Sequence, residues 1–229
     1  MSRTLEVSDG WRQEFPGAQA GILVMRDVLN PASHPALDEK KIALENRLRE
    51  LYRGPGSPPL QEHPVIAAYT EHYRPFGKTY HVRLQLESLV LKGKPIASVS
   101  ALVQAMFMAE LENMMLTAGH DLERVRLPIR LEVSKGHETY VLLNGKEQTL
   151  KPGDMFMRDG EGVISSVLYG PDGRTRIRPE TRDVIFAVYA PAGIQEEQLL
   201  RHLQDIGGNV RLFCPHARVE EVLVVNNAG

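Results

Sequence analysis

The spacing of apolar residues divides the chain into a helical part followed by a sheet part. An apolar run with branched side chains at positions 20–28 lies between two Pro-containing turn signals, which predicts a buried strand. Apolar residues then recur at helical intervals over four segments. The predicted helices are 39–52, 63–74, 82–92 and 100–118. We expect Asp38 to cap the first, Gly93 to close the third and Gly119 to follow the fourth in the left-handed conformation.

From Leu127 onward the pattern changes to short segments rich in branched and aromatic residues. Turn signals such as Asn144-Gly145 separate these segments, as expected for antiparallel strands. One amphipathic helix interrupts them at 194–208, where leucines and isoleucine share one face. The predicted strands are 127–134, 138–143, 162–170, 175–180, 183–191, 209–214 and 219–225.

Strands at both ends of the chain with helices between them predict an α+β fold class. We expect a single domain over 1–229, in which a mixed or antiparallel β-sheet packs with several α-helices and strand 20–28 joins the later sheet. The helix-rich part covers about 35–120 and the sheet-rich part about 125–225.

Composition is typical of a folded cytoplasmic protein. Hydrophobic residues make up 42% and charged residues 24%, which excludes a disordered chain. The net charge of −2 excludes the global basicity of a non-specific nucleic-acid coat. Cys214 is the only cysteine, so no intramolecular disulfide or cysteine-built zinc site can form. The N-terminal segment has no leader pattern and no apolar run is long enough to span a bilayer, so we expect no membrane partner.

Side chains capable of catalysis form no recognised motif. Nucleophile-elbow, Walker and HExxH patterns are missing, and no two of the eight histidines are spaced i, i+4, so we expect neither a metal nor another cofactor. His120 is a candidate because it stands beside Asp121 after a predicted helix, where pocket residues often lie. A structural role is the alternative for every histidine, and Asp121 can equally cap the turn that follows.

Positive charge is concentrated in two segments. Between Glu71 and Lys94, cations alternate with aromatic rings, which suits phosphates and unstacked bases of RNA. The cations are Arg74, Lys78, Arg83, Lys92 and Lys94, and the rings are Tyr73, Phe76 and Tyr80. Composition alone favours a solvated helix face for this segment.

The second basic segment contains Arg174, Arg176 and Arg178. If 175–178 is a strand, these three side chains point to one face and suit a phosphate backbone or an acidic partner. A charged edge strand explains them equally well.

The stretch from Val141 to Pro191 carries a resemblance to a known family. Its block "LNGKEQTLKPGD" matches the pattern L-[DN]-G-x-E-x-x-L-x-P-x-D, followed by an apolar strand with a glycine turn and a strand led by Thr181. This order resembles the tRNA-binding and editing domain of the phenylalanyl-tRNA synthetase β subunit, formed from its third and fourth B modules, and stand-alone proteins built from that domain. Upstream segments, including "YRPFGKTYHV" and "GHDLERV", extend the resemblance over nearly the whole chain.

The resemblance implies an α+β domain that binds tRNA and removes wrongly attached amino acids from its 3′ end, without a metal and without a covalent nucleophile. Positioning and desolvation of the ester leave no sequence motif. Two positions depart from the family pattern. Ala118 stands where the synthetase has a histidine, and Arg174 stands where it has a pocket carboxylate. The loss of that carboxylate should change amino-acid selectivity.

The function expected is therefore a free-standing aminoacyl-tRNA deacylase that acts in trans, with aminoacylated tRNA rather than DNA as its partner. We expect six polar residues to converge on a cavity of amino-acid size. His120, Arg174 and Ser165 are the catalytic candidates, and Gln104, Asn113 and Ser166 are the substrate-pocket candidates. The alternatives are an RNA-binding module that has lost catalysis and a sensor of free amino acids. Aminoacylation by this chain alone is not expected, because nothing in it resembles the catalytic subunit.

Overall fold

Short strands and longer helices alternate through the first half of the chain, and strands dominate the second half. The computed structural model describes residues 4–54 and 56–227. The strands in these ranges are β1 (Leu5–Val7), β2 (Gln19–Arg26), β3 (Thr117–Asp121), β4 (Ile129–Val133), β5 (Thr139–Val141), β6 (Glu147–Thr149), β7 (Met155–Arg158), β8 (Val163–Ser166), β9 (Gly170–Pro171), β10 (Val184–Ala190) and β11 (Arg218–Asn226). The α-helices are α1 (Asp9–Glu14), α2 (Pro35–Arg53), α3 (Pro64–Tyr73), α4 (His81–Lys92), α5 (Ala101–Asn113) and α6 (Glu196–Phe213). None of the helices in the described ranges is long and apolar enough to cross a membrane.

An antiparallel sheet of four strands forms the centre of the described part of the chain. Its order is β11-β2-β10-β3, so β2 does join the later strands, as the sequence predicted. β10 is buried along its whole length and β2 is buried except at its two ends, which explains their continuous apolar runs. α6 lies across β2, and a Cβ at Gly21 would be only 3.0 Å from the Leu203 side chain.

A second sheet packs beside the first and makes the fold mixed. Over the described residues its order is β1-β4-β7-β8-β9, with β1 parallel to β4 and the other pairs antiparallel. β5 and β6 form a separate hairpin whose turn contains Gly145 at φ +79°. Most buried apolar side chains of the helices and both sheets form one continuous cluster. The α+β class with a mixed and largely antiparallel sheet arrangement is therefore confirmed.

The predicted fourth helix ends five residues earlier than its pattern suggested. α5 stops at Asn113 because Met114 takes the left-handed conformation at φ +59°. Residues 117–121 then form β3, which pairs with β10. Gly119 is therefore not a helix cap. Neighbouring side chains pack directly against its backbone, since a Cβ there would lie 2.7 Å from Ile177 Cδ1 and 3.2 Å from Met106 Sδ.

Three further predictions are wrong. Within the predicted strand 209–214, residues 209–213 continue α6, because the apolar side chains of Val210 and Phe213 extend the buried face of that helix. The segment 175–180 is an extended loop with a single bridge, between Arg176 and His120. α2 begins at Pro35 after His34, so Asp38 lies inside its first turn rather than at its cap.

Candidate functional site

A cavity of about 440 Å³ lies between α5, β3 and the ends of β8, β9 and β10. Its lining is mainly apolar, with a few polar groups among hydrophobic side chains, which is the usual composition of a small-ligand site. The lining residues are His81, Gln85, Val99, Val103, Met106, Phe107, Glu110, Leu116, Thr117, Ala118, Gly119, Leu143, Ser166, Gly170, Pro171, Arg176, Ile177 and Tyr189.

One wall of the cavity is a stripe along α5. Val103, Met106, Phe107 and Glu110 recur at i, i+3, i+4 and i+7, so they share one helix face. The carboxyl of Glu110 is 2% exposed, and its Oε1 accepts a hydrogen bond from the Thr117 amide at 2.7 Å. Burial raises the pKa of this carboxyl to about 8. This carboxyl is therefore mostly protonated at neutral pH.

Hydroxyl groups and a neutral histidine contribute to the other walls. The Tyr189 hydroxyl is 2.5 Å from Ser165 Oγ, and burial raises its pKa, so it remains a hydrogen-bond donor. Ser166 Oγ accepts the Tyr169 amide at 3.1 Å. Burial lowers the pKa of His81 to about 4, so this imidazole is neutral near pH 7.

The cavity mouth carries an exposed arginine without an internal partner. Among the described residues, Arg176 makes no salt bridge and no side-chain hydrogen bond. A second groove of about 180 Å³ adjoins the cavity, since both include Gln85 and Phe107 in their walls, and Lys94 lines this groove. Cations therefore stand at the mouth of the cavity and along the groove next to it.

The three predicted catalytic residues lie outside the cavity wall. His120 is fully buried with its Nδ1 2.7 Å from Thr175 Oγ1, and burial lowers its pKa to about 4. Ser165 is also fully buried and contacts Tyr189 from behind the wall. Each side chain is thus enclosed by the fold and not exposed to the cavity. Asp121 binds Arg178 and Thr181, and it accepts the Glu123 amide, as a cap of the following turn does.

Arg174, the remaining catalytic candidate, is held in a cluster of acidic side chains. Its guanidinium donates to Asp159 at 2.8 Å and to the Arg124 carbonyl at 2.9 Å, and Glu161 lies 3.2 Å away. The Asp159 side chain is completely buried. These partners occupy the guanidinium and link two loops, so the structure does not bring Arg174 into the cavity where its catalytic role was predicted.

Of the predicted pocket residues, Ser166 lines the cavity and the other two do not. Gln104 faces α2, where its amide donates to Asp38 at 2.9 Å. Asn113, at the end of α5, donates to Asp205 of α6 at 2.9 Å. Both amides join helices to one another, which corrects their assignment to the substrate pocket.

The basic segment is only partly available for a partner. Arg74 and Arg83 form ion pairs with Glu71 and Glu87 on their own helical segments. Lys78 Nζ lies 4.0 Å from the centre of the Tyr169 ring. Lys92 and Lys94 are exposed.

The aromatic rings of this segment also differ from expectation. Tyr73 and Tyr80 are 1% exposed, and their hydroxyls donate to the carbonyls of Val167 and Met114. They belong to the core and cannot stack on bases. Phe76 is the ring of the three that is partly exposed.

The sequence did not predict Glu110, Tyr189 or His81 as cavity residues. It also did not predict that Arg176, rather than Arg174 or Arg178, is the arginine without an internal partner among the described residues. A signal for Glu110 was present, since a carboxylate interrupts the otherwise apolar stripe of "ALVQAMFMAEL". The others had no comparable signal, because their positions depend on strand pairing. The described residues contain no group of three or more His, Cys, Asp or Glu side chains suited to a metal ion.

Comparison with known proteins identifies relatives for the part of the chain that builds the cavity. The B3/4 domain family matches residues 82–204, which is more than half of the 229 residues. The phenylalanine–tRNA ligase β subunit of Mycoplasma genitalium is 33% identical over 69 residues, and that of Mycoplasma pneumoniae is 30% identical over 69 residues. Each match covers 30% of this chain and 9% of the length of the curated relative.

The chain is also similar to a solved structure. It is an N-terminal fragment of the phenylalanyl-tRNA synthetase β subunit from Pyrococcus horikoshii. The superposition has a TM-score of 0.49 at 12% identity, and it covers 97% of this chain and 54% of that one.

Proposed function

The chain belongs to the B3/4 domain family, and on that premise we propose that it binds tRNA and hydrolyses mischarged aminoacyl-tRNA in trans. The observation that carries this proposal is the cavity beside α5. All its lining residues except His81 fall within the span 82–204 that matches the family. A volume of about 440 Å³ is enough for an amino-acid side chain together with part of the terminal ribose.

Arg176 and Lys94 support a nucleotide end at the cavity mouth. An arginine without an internal partner is free to make a bidentate contact with a phosphate. The groove lined by Lys94 continues from the cavity, so a single-stranded 3′ end lying along it could enter with its ester first. Binding through these cations predicts a salt-dependent affinity.

The chemistry proposed is positioning of the ester for attack by water, with no covalent enzyme intermediate. Ser166 supplies a hydroxyl group that can hydrogen-bond to the ester or to the attacking water, whereas the Tyr189 hydroxyl is held by Ser165 behind the wall. The apolar walls exclude bulk solvent and so strengthen these hydrogen bonds. In this proposal the cavity residues take the roles that were expected of His120, Ser165 and Arg174.

The test is deacylation of a panel of mischarged tRNAs by the purified chain, at a salt concentration where binding is measured in parallel. Arg176→Gln should slow deacylation at subsaturating tRNA, whereas Arg182→Gln is a matched control because Arg182 is exposed and does not line the cavity. If the wild-type chain binds the tRNAs and leaves every ester intact, the deacylase proposal is refuted.

A second candidate function is a binding module without catalysis. Ala118 favours it, because its apolar side chain has no group that can accept a proton. His81 favours it as well, because a pKa of about 4 makes its imidazole only a weak base. It predicts the same salt-dependent tRNA affinity with no turnover, or thermal stabilisation by free amino acids without tRNA.

A further inference from the structure

We propose that Glu110 recognises the amino group of the aminoacyl moiety, with the amino-acid side chain lying against Val103, Met106 and Phe107. This inference rests on the proposed function, because it concerns the same cavity. It adds a residue that selects aminoacyl over plain acyl groups.

The first argument is the position of the carboxyl. Glu110 ends the apolar stripe of α5 that faces the cavity, and it is 2% exposed whereas Arg176 at the mouth is exposed. A ligand that enters past Arg176 therefore reaches the carboxyl with its innermost part. On an aminoacyl ester, that part carries the amine and the side chain.

The second argument is the hydrogen-bonding capacity of the carboxyl. A carboxylate can accept about four hydrogen bonds. Among the described residues, the carboxyl of Glu110 has one hydrogen-bond partner, the backbone amide of Thr117, which lies 2.7 Å from Oε1. The remaining capacity is available to a donor inside the cavity, and an ammonium group has three N–H donors.

The third argument is charge. In the described part of the chain Glu110 has no cationic partner. The titratable groups that interact with it are Tyr69, Tyr73 and Tyr80, and His81 lines the same cavity. The tyrosines and this histidine are uncharged near pH 7. A buried carboxyl without a cation is unfavourable in its ionised form. An ammonium group from the ligand would provide the missing countercharge.

The experiment compares three pairs of non-hydrolysable probes, each probe an adenosine 5′-monophosphate whose 3′ position carries an amide-linked acyl group. One probe of each pair carries an apolar aminoacyl group, alanyl, methionyl or phenylalanyl, and the other carries the same group without its amine. Binding is measured by calorimetry for the wild-type chain and for Glu110→Gln, Glu110→Met and Glu112→Gln. Glu112 is the matched control because it lies on the same helix but pairs with Arg47 outside this cavity.

We expect the wild-type chain to prefer the amino probe by ~10-fold or more, and Glu110→Gln and Glu110→Met to abolish that preference. Affinity for the probe without the amine should change less than about twofold, and Glu112→Gln should match the wild type. If Glu110 has only a structural role, its substitution should weaken the binding of both kinds of probe equally, and that result overturns the inference. The inference is also overturned if the Glu110 variants keep the wild-type preference for the amino probe. If tRNA is deacylated but Glu110 has no effect on amine preference, the inference fails alone. If no probe binds and no tRNA is deacylated, the proposed function fails with it.

Discussion

Replacement of Glu110 by Gln should make the stability of the protein less dependent on pH. Burial raises the pKa of this carboxyl from its ordinary value of 4.5 to about 8. The folded protein therefore binds the proton more tightly than the unfolded chain does. The stability gained in this way is fully present below pH 4.5 and is lost as the pH rises through about 8.

The size of the effect follows from the two pKa values. Between these two pKa values the free energy of unfolding falls by ~1.4 kcal/mol for each unit of pH increase, because the unfolded chain has released the proton and the folded chain has not. Between pH 5 and pH 8 the contribution of this one carboxyl to the free energy of unfolding should fall by ~3 kcal/mol. A glutamine carries no charge, and its amide oxygen can still accept the Thr117 amide, so the variant keeps the hydrogen bond without the pH dependence.

The assay is urea unfolding of the wild-type chain and Glu110→Gln at pH 5, 6, 7 and 8. The free energy of unfolding of the variant should rise relative to the wild type by ~3 kcal/mol across this range, with m-values unchanged. Glu112→Gln provides the control, since that carboxylate pairs with Arg47 and is 25% exposed. Parallel stability curves for the wild type and Glu110→Gln would refute the conclusion that this carboxyl is buried and protonated.

Three other substitutions test separate parts of the structure. Arg174→Ala should lower the free energy of unfolding by ~2–4 kcal/mol in urea titrations, because the buried Asp159 loses its cation. If the variant instead keeps its stability and loses deacylation, Arg174 has a catalytic role. Gly119→Ala should cost ~1–3 kcal/mol, since its Cβ would be 2.7 Å from Ile177 Cδ1, and an unchanged Tm would contradict the packing described. Lys94→Gln should reduce the slope of log K against log salt for tRNA by about 1, whereas an equal slope would exclude that lysine from the interface.

The elements that could be predicted from the sequence are those with a strong single period. β2 and β10 are buried on both faces, so their apolar runs are unbroken, and α4 ends where Gly93 takes the left-handed conformation. β3 could not be separated from α5 in this way. Both are apolar, and the residue that ends the helix is Met114, which carries a side chain that disfavours a positive φ.

Packing against β2 explains why the last helix was predicted too short. Gly207 and Gly208 are typical helix-ending residues, so the helix was expected to stop there. In the fold, Gly207 is buried with the Leu23 side chain 3.7 Å from where its Cβ would be, and Val210 continues the buried face. Tertiary contact with the central sheet therefore extends a helix that local preference would end.

The candidate site was the least predictable part, because ion pairing inside the fold decides which side chains remain free. Arg174, Arg176 and Arg178 look equivalent in the sequence. Arg174 is neutralised by acidic groups near the turn after β7, and Arg178 is neutralised by Asp121 at the end of β3. Both acidic groups come from other elements of the chain. Arg176 is left unpaired at the cavity mouth, so its availability to a phosphate is a consequence of the internal partners of its neighbours.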